Sequence, residues 1–172
     1  KFGSGKFPDT LNLTFKKNQD LRYGENPHQK AAFYVDPFIY ESSIGTSKQL
    51  HGKALSFNNI LDIDNAFELV KTFKEPAATV VKHTNPAGCA IADTIEEAFK
   101  KAYDGDPLSA FGGIIALNRD CNEKVAKLIR PLFMEVVMCP KFEKNALKIL
   151  KEKKNIRLLE TGGIKKSEKS YY

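Results

Sequence analysis

The sequence has no tryptophan, only three cysteines and two methionines, and no apolar run near the roughly 20 residues that a membrane helix needs. Cys89, Cys121 and Cys139 are odd in number and never form a C-x-x-C pair, which argues against a disulfide framework or a zinc knuckle. Such cysteine usage suits a reducing cytoplasm, and neither a membrane nor a secretory route is expected. His28, His51 and His83 fall in neither H-E-x-x-H nor deaminase-type H-x-E and P-C-x-x-C spacing, so no catalytic metal is expected. No G-x-x-x-x-G-K-S/T loop and no G-x-G-x-x-G turn occurs, which removes two sequence-readable phosphate cradles. The N-terminus, Lys1-Phe2-Gly3-Ser4-Gly5-Lys6, lacks a signal-peptide hydrophobic core, and the chain begins without Met, as a fragment or processed product would.

What is present is an ordinary globular composition, 42% hydrophobic and 28% charged over 172 residues. A chain of this length buries roughly 70% of its unfolded surface, enough for one core without staples. The net charge of +6 invites a nucleic-acid reading, but it is local. Residues 1–140 hold 17 basic and 17 acidic side chains, whereas residues 141–172 hold 10 against 4. The basic stretch from Lys141 to Lys169 holds a single aromatic, Phe142, rather than a set interleaved with its lysines, and reads as a solvated helix face, so no nucleic-acid partner is expected.

Apolar periodicity predicts an α/β protein. Strands are expected at Leu11 to Phe15 and Ala31 to Val35, flanking a polar segment, and Ile60, Ile63, Phe67 and Val70 mark an amphipathic helix ending near Lys74. Ala77 to Val81 is a short β-branched run too brief for a helix, followed by a turn rich in Asn, Pro and Gly. Thr94-Ile95-Glu96-Glu97 has capping-box spacing and opens a helix to about Tyr103; Asn122 caps another, closed by Pro131. Gly113 to Leu117, Met134 to Met138 and Ile156 to Leu159 read as strands, and Phe142, Ala146, Ile149 and Leu150 share a face of a Lys-rich helix. Parallel strands joined by right-handed crossovers are the economical arrangement, giving a mainly parallel sheet in a three-layer α/β/α fold. Ligands in such sheets bind beyond the carboxyl ends of strands.

Three segments stand where chemistry is to be sought. Lys82-His83-Thr84-Asn85-Pro86-Ala87-Gly88 follows a strand directly. A histidine accepts a proton at neutral pH, and a lysine cation stabilises a developing oxyanion or a phosphate. A capped turn with a solvated lysine accounts for the same pair. Arg22-Tyr23-Gly24-Glu25-Asn26-Pro27-His28-Gln29 sets a guanidinium fork beside a phenol, which suits a phosphate, although a surface turn on Gly24 and Asn26-Pro27 also explains it. Asp106 to Gly113 ends in Gly112-Gly113, which permits close approach of backbone to a ligand or simply forms a tight turn. Cys89 shares a loop with His83, but nothing in the spacing pairs them, so a buried structural thiol is expected.

Taken in order, these three segments, with Leu55-Ser56-Phe57-Asn58-Asn59-Ile60-Leu61-Asp62 and Phe133-Met134-Glu135-Val136-Val137, resemble the bifunctional AICAR transformylase/IMP cyclohydrolase family of purine biosynthesis, from about Lys6 to Leu159. The resemblance implies formyl transfer from 10-formyltetrahydrofolate to aminoimidazole carboxamide ribonucleotide (AICAR). The domain implied consists of two cytidine-deaminase-like halves without the zinc. Residues 1–172 match the first half; the cyclohydrolase domain and the second half, which brings most of the folate pocket, are not in the chain. Residue by residue, the resemblance makes His83 the proton acceptor and Lys82 its transition-state partner. It makes Arg22, Tyr23, Gly112 and Glu135 substrate contacts, with Asn59 a further candidate, and Glu135 could equally end a strand in a structural ion pair. It also implies a homodimer in which Arg22 and Tyr23 come from the other subunit than His83. The other reading is a nucleotide-binding or dimerisation module that is catalytically incomplete.

Overall fold

The computed structural model describes residues 10–165, so the Lys1 to Lys6 segment and all but the first residue of the Lys165 to Tyr172 tail lie outside the described residues. In chain order the elements are β1 (Lys16–Asp20), β2 (Ala32–Val35), a 3-10 turn (Ile44–Thr46), β3 (Lys48–His51), α1 (Phe57–Lys71), β4 (Ala77–Lys82), β5 (Asn85–Ile91), α2 (Ile95–Asp104), β6 (Ile114–Leu117), α3 (Glu123–Ile129), β7 (Val136–Cys139), α4 (Lys144–Lys151) and β8 (Arg157–Glu160). β1 and β2 form a separate antiparallel ribbon, and the other six strands form one sheet in the order β3-β8-β7-β6-β4-β5.

The sheet is mixed rather than mainly parallel. β6, β7 and β8 are parallel neighbours, but β4 runs against both β5 and β6, and β3 runs against β8. The cause is Asn85 to Ile91, which reads as a turn in the sequence yet forms a strand hairpinned onto β4. Proline is tolerated there because β5 is the sheet's edge. Gly88 is required by packing: a Cβ on it would stand 1.9 Å from the Ala102 carbonyl oxygen, so only a glycine lets α2 lie this close to β5. The edge strand β3 was not expected from sequence either, and a third difference is at the N-terminus. Leu11 and Leu13 alternate as a strand would but are 65% and 68% exposed, and the ladder starts only at Lys16, where β2 supplies a partner.

Period-two alternation sends Val80 and Ile115 to one face of the sheet and Val81 and Ile114 to the other. α1 covers the second face with Ile63, Ala66, Phe67 and Val70, while α2, α3 and α4 cover the first with residues such as Phe99, Ile129 and Leu150. Each large apolar side chain buried there contributes about 1.5–3 kcal/mol. Side-chain oxygens of Ser56, Thr94 and Asn122 accept from the first-turn amides of α1, α2 and α3. No helix among the described residues is long and apolar enough to cross a membrane.

The reversal of β4 positions the site. Its carboxyl end shares one rim of the sheet with the amino ends of β6, β7 and β8. The predicted segments therefore meet at the amino ends of the parallel strands, not at the carboxyl ends as expected from sequence.

Candidate functional site at the amino rim of the sheet

Lys82 pairs with Asn85 across the β4–β5 hairpin, leaving His83 and Thr84 as a two-residue turn with φ of 52° and 64°. Positive φ at both positions is the signature of the type I′ turn, in which Asn-Gly is favoured. Here a histidine and a β-branched threonine hold it, at about 1–3 kcal/mol of strain each. The surroundings compensate. The Thr84 amide donates to Asp62 Oδ1 of α1 at 2.7 Å, and the His83 carbonyl accepts from Asn85 Nδ2 at 2.9 Å and from the Thr84 hydroxyl at 2.7 Å. His83 is exposed at the tip.

Lys82 Nζ donates to the Gly112 carbonyl at 2.8 Å, which leaves two ammonium donors for other acceptors. Gly112 has φ +67°, and a Cβ on it would lie 3.2 Å from the Phe133 ring and 3.3 Å from Lys82 Nζ. Its amide donates to the Phe133 carbonyl at 2.8 Å. Lys82 and His83 line a cavity of about 410 Å³ together with Asn85, Pro86, Ala87, Asp106 and Ser109. The Ser109 hydroxyl and amide donate to Asp106 at 2.6 and 3.0 Å and hold its carboxyl below the usual carboxylate range.

A second cluster stands on the α1 side of the same rim. Ser56 and Asn59 cap α1 reciprocally, and the remaining Asn59 amide donates to Glu135 Oε2 at 3.0 Å. Arg157, only 3% exposed, places NH1 3.5 Å from the same oxygen and donates from Nε to the Ala54 carbonyl. Burial pushes the Arg157 guanidinium down; Glu135 opposes this, and the positive charge of Arg22 adds to it. Arg22 donates to the Tyr23 hydroxyl at 2.7 Å with its guanidinium 4.6 Å from that ring's centre. The segment is fixed by backbone bonds from Arg22 N to the Leu55 carbonyl and from Phe57 N to the Tyr23 carbonyl. Two guanidiniums against one carboxylate leave an excess of positive charge suited to an oxyanion.

The structure thus brings Lys82, His83 and Gly112 together, and separately Arg22, Tyr23, Asn59 and Glu135. Among the described residues no hydrogen bond or ion pair joins Arg22 or Tyr23 to Lys82 or His83; the clusters meet through backbone, with Glu135 N donating to the Gly113 carbonyl at 2.9 Å. Sequence reasoning passed over two residues. Arg157 was signalled by a charge inside the apolar run Ile156 to Leu159, and Asp62 by its place one helical turn after Asn59. Cys89 is exposed, not buried as expected. Its side chain projects from the edge strand β5, which has a neighbouring strand, β4, on one side only.

An α/β domain with a polar, cation-rich rim built on a hairpin turn is what the fold and site define. The model of the AICARFT/IMPCHase bienzyme family matches residues 2–172, and the chain belongs to that family. It is 57% identical over 152 residues to the bifunctional purine biosynthesis protein PurH of Halalkalibacterium halodurans, covering 88% of this chain and 30% of that protein. The PurH proteins of Acetivibrio thermocellus and Bacillus cereus are 54% and 53% identical over 160 residues, covering 93% of this chain and 31% of each. The chain therefore spans about a third of the length of these curated relatives.

Proposed function

We propose that this chain is the first half of an AICAR transformylase domain, of cytidine-deaminase-like architecture, and that it carries the general base for formyl transfer to AICAR in purine biosynthesis. The observation that carries the reading is the Lys82-His83 pair, set on a strained turn beside the Gly112 carbonyl. The attacking amine is a poor nucleophile because the imidazole carboxamide withdraws its electrons, so a base must take its proton. A His83 ring nitrogen accepts that proton. Lys82 Nζ, anchored through one donor on Gly112, offers another to the charge that develops on the formyl oxygen. 10-Formyltetrahydrofolate supplies the formyl carbon: as the amine nitrogen bonds to it, the folate nitrogen that carried it leaves as tetrahydrofolate, taking up the proton that His83 accepted. The cavity of about 410 Å³ beside these residues is at the small end for a ligand of that size, so the chain fits the reacting group and not the whole folate. Arg22 and Tyr23, with Glu135, Asn59 and the Gly112 backbone, hold the nucleotide. The lack of any hydrogen bond or ion pair, among the described residues, from Arg22 or Tyr23 to Lys82 or His83 favours a site completed across a homodimer, the common closed symmetry.

The test is formyl transfer by the chain extended to the length of its relatives. His83→Ala should lower kcat at least about 100-fold, the usual contribution of a positioned base. Full activity in that variant would remove His83 from the mechanism. The second reading, a nucleotide-binding or dimerisation module without turnover, draws on the chain's coverage of 30–31% of its relatives. Calorimetry with AICAR separates the two, since heat of binding without any formylated product favours the module.

A further inference from the structure

We infer that Asp62 is a positioning residue for the hairpin turn that carries His83, a role resting on the transformylase reading above. Three observations converge on it. The turn has a conformation that its residues do not choose, with a β-branched residue at φ 64°. The other two hydrogen bonds in the turn, from Thr84 Oγ1 and Asn85 Nδ2 to the His83 carbonyl, come from residues that move with it. Among the described residues, only the bond from the Thr84 amide to Asp62 Oδ1, 2.7 Å long, ties the turn to a different element. Asp62 is anchored well for this, because its neighbour Ile63 is fully buried in the core under α1. The strut fixes where the His83 side chain leaves the rim, while the Lys82–Gly112 bond fixes the other member of the pair.

The chemistry asks for an acceptor at this position, not for a charge. Asp62→Asn keeps an oxygen of the same reach, whereas Asp62→Ala leaves the Thr84 amide to water and lets the turn relax. Gly is favoured at the second position of a type I′ turn, so Thr84→Gly should hold the turn without the strut.

The experiment is steady-state formyl transfer by the chain extended to the length of its relatives, with amide exchange at Thr84 read in the same proteins. Asp62→Ala should lower kcat about 10- to 100-fold, with KM for the nucleotide within about twofold, because misplacing a reacting group acts on the chemical step. Asp62→Asn should keep kcat and the pH midpoint of kcat near those of the unsubstituted protein. Adding Thr84→Gly to Asp62→Ala should recover much of the lost kcat. Thr84 amide exchange should accelerate in Asp62→Ala alone. Unchanged kcat in Asp62→Ala, or a loss in Asp62→Asn as deep as in Asp62→Ala, overturns the role. Absence of formyl transfer by the unsubstituted protein instead takes away the transformylase reading. The hydrogen bond itself would then still be judged by Thr84 exchange.

Discussion

Lys82 Nζ and the Gly112 carbonyl oxygen, 2.8 Å apart, join the end of β4 to the turn that precedes β6, so the cation's position is set by a backbone atom and not by another side chain. Gly112 achieves this only at φ +67°. Gly112→Ala should destabilise the fold by about 1–2 kcal/mol, the cost of a side chain in the left-handed region. It should also push against Lys82, whose Nζ lies 3.3 Å from the added Cβ. Urea denaturation reads the first effect and kcat the second; a stable variant with unaltered turnover would show that the Lys82 anchor is dispensable.

Among the described residues, Glu135 is the only carboxylate within ion-pair distance of Arg157. Glu135→Ala should cost about 1–3 kcal/mol, less than for a fully buried pair because the Glu135 side chain is 36% exposed. Glu135→Leu combined with Arg157→Leu should cost less than the sum of the single changes, since the buried guanidinium is then gone as well. A double-mutant cycle by chemical denaturation measures the coupling, and strict additivity would mean that the pair does not interact.

Ser56→Ala removes the hydroxyl that accepts from the Asn59 amide at the start of α1. The expected loss is about 1 kcal/mol. Nucleotide binding should weaken with it, because Asn59 reaches Glu135 from that first turn. Thermal melting and calorimetry with AICAR follow the two effects separately.

Burial pushes the Cys121 thiol up to about 12 and the Cys139 thiol well above its ordinary value. At pH 8 roughly one Cys121 in ten thousand is then a thiolate, and the thiolate is the nucleophile. Iodoacetamide should modify neither residue in the folded protein. Cys89 is exposed, with its thiol raised by partial desolvation and drawn back by Thr79, and should react slowly. Peptide mapping after alkylation checks the order, and rapid native labelling at Cys139 would contradict it.

Most helices were legible in the sequence because each carries an apolar stripe between a capping residue and a stop. Asn122 to Pro131 is an example: the cap accepts from Val125 N at 3.0 Å and the helix ends at Ile129. β5 was hidden because Pro86 and Gly88 are turn formers by local preference, and only the edge position and the approach of α2 make them fit a strand. That one hidden strand reversed β4, and with it the rim on which the site stands. Lys82 and His83 were visible as a juxtaposition in sequence, but the turn they occupy was not, since positive φ at a threonine is imposed by tertiary contacts. Arg157 stayed hidden because its partner Glu135 is 22 positions away along the chain.

The two-residue turn between Lys82 and Asn85 also governs which length changes the protein can absorb. Inserting one residue at His83 would slip the β4–β5 ladder and turn alternate side chains to the wrong face of the sheet. Replacement of residues is thus tolerated at this rim more readily than any insertion or deletion. The connections at the opposite rim, after Leu117 and after Cys139, lie away from the site but are tied to each other by the backbone bond from Cys121 N to the Lys141 carbonyl, 2.8 Å long, so they too resist a change of length.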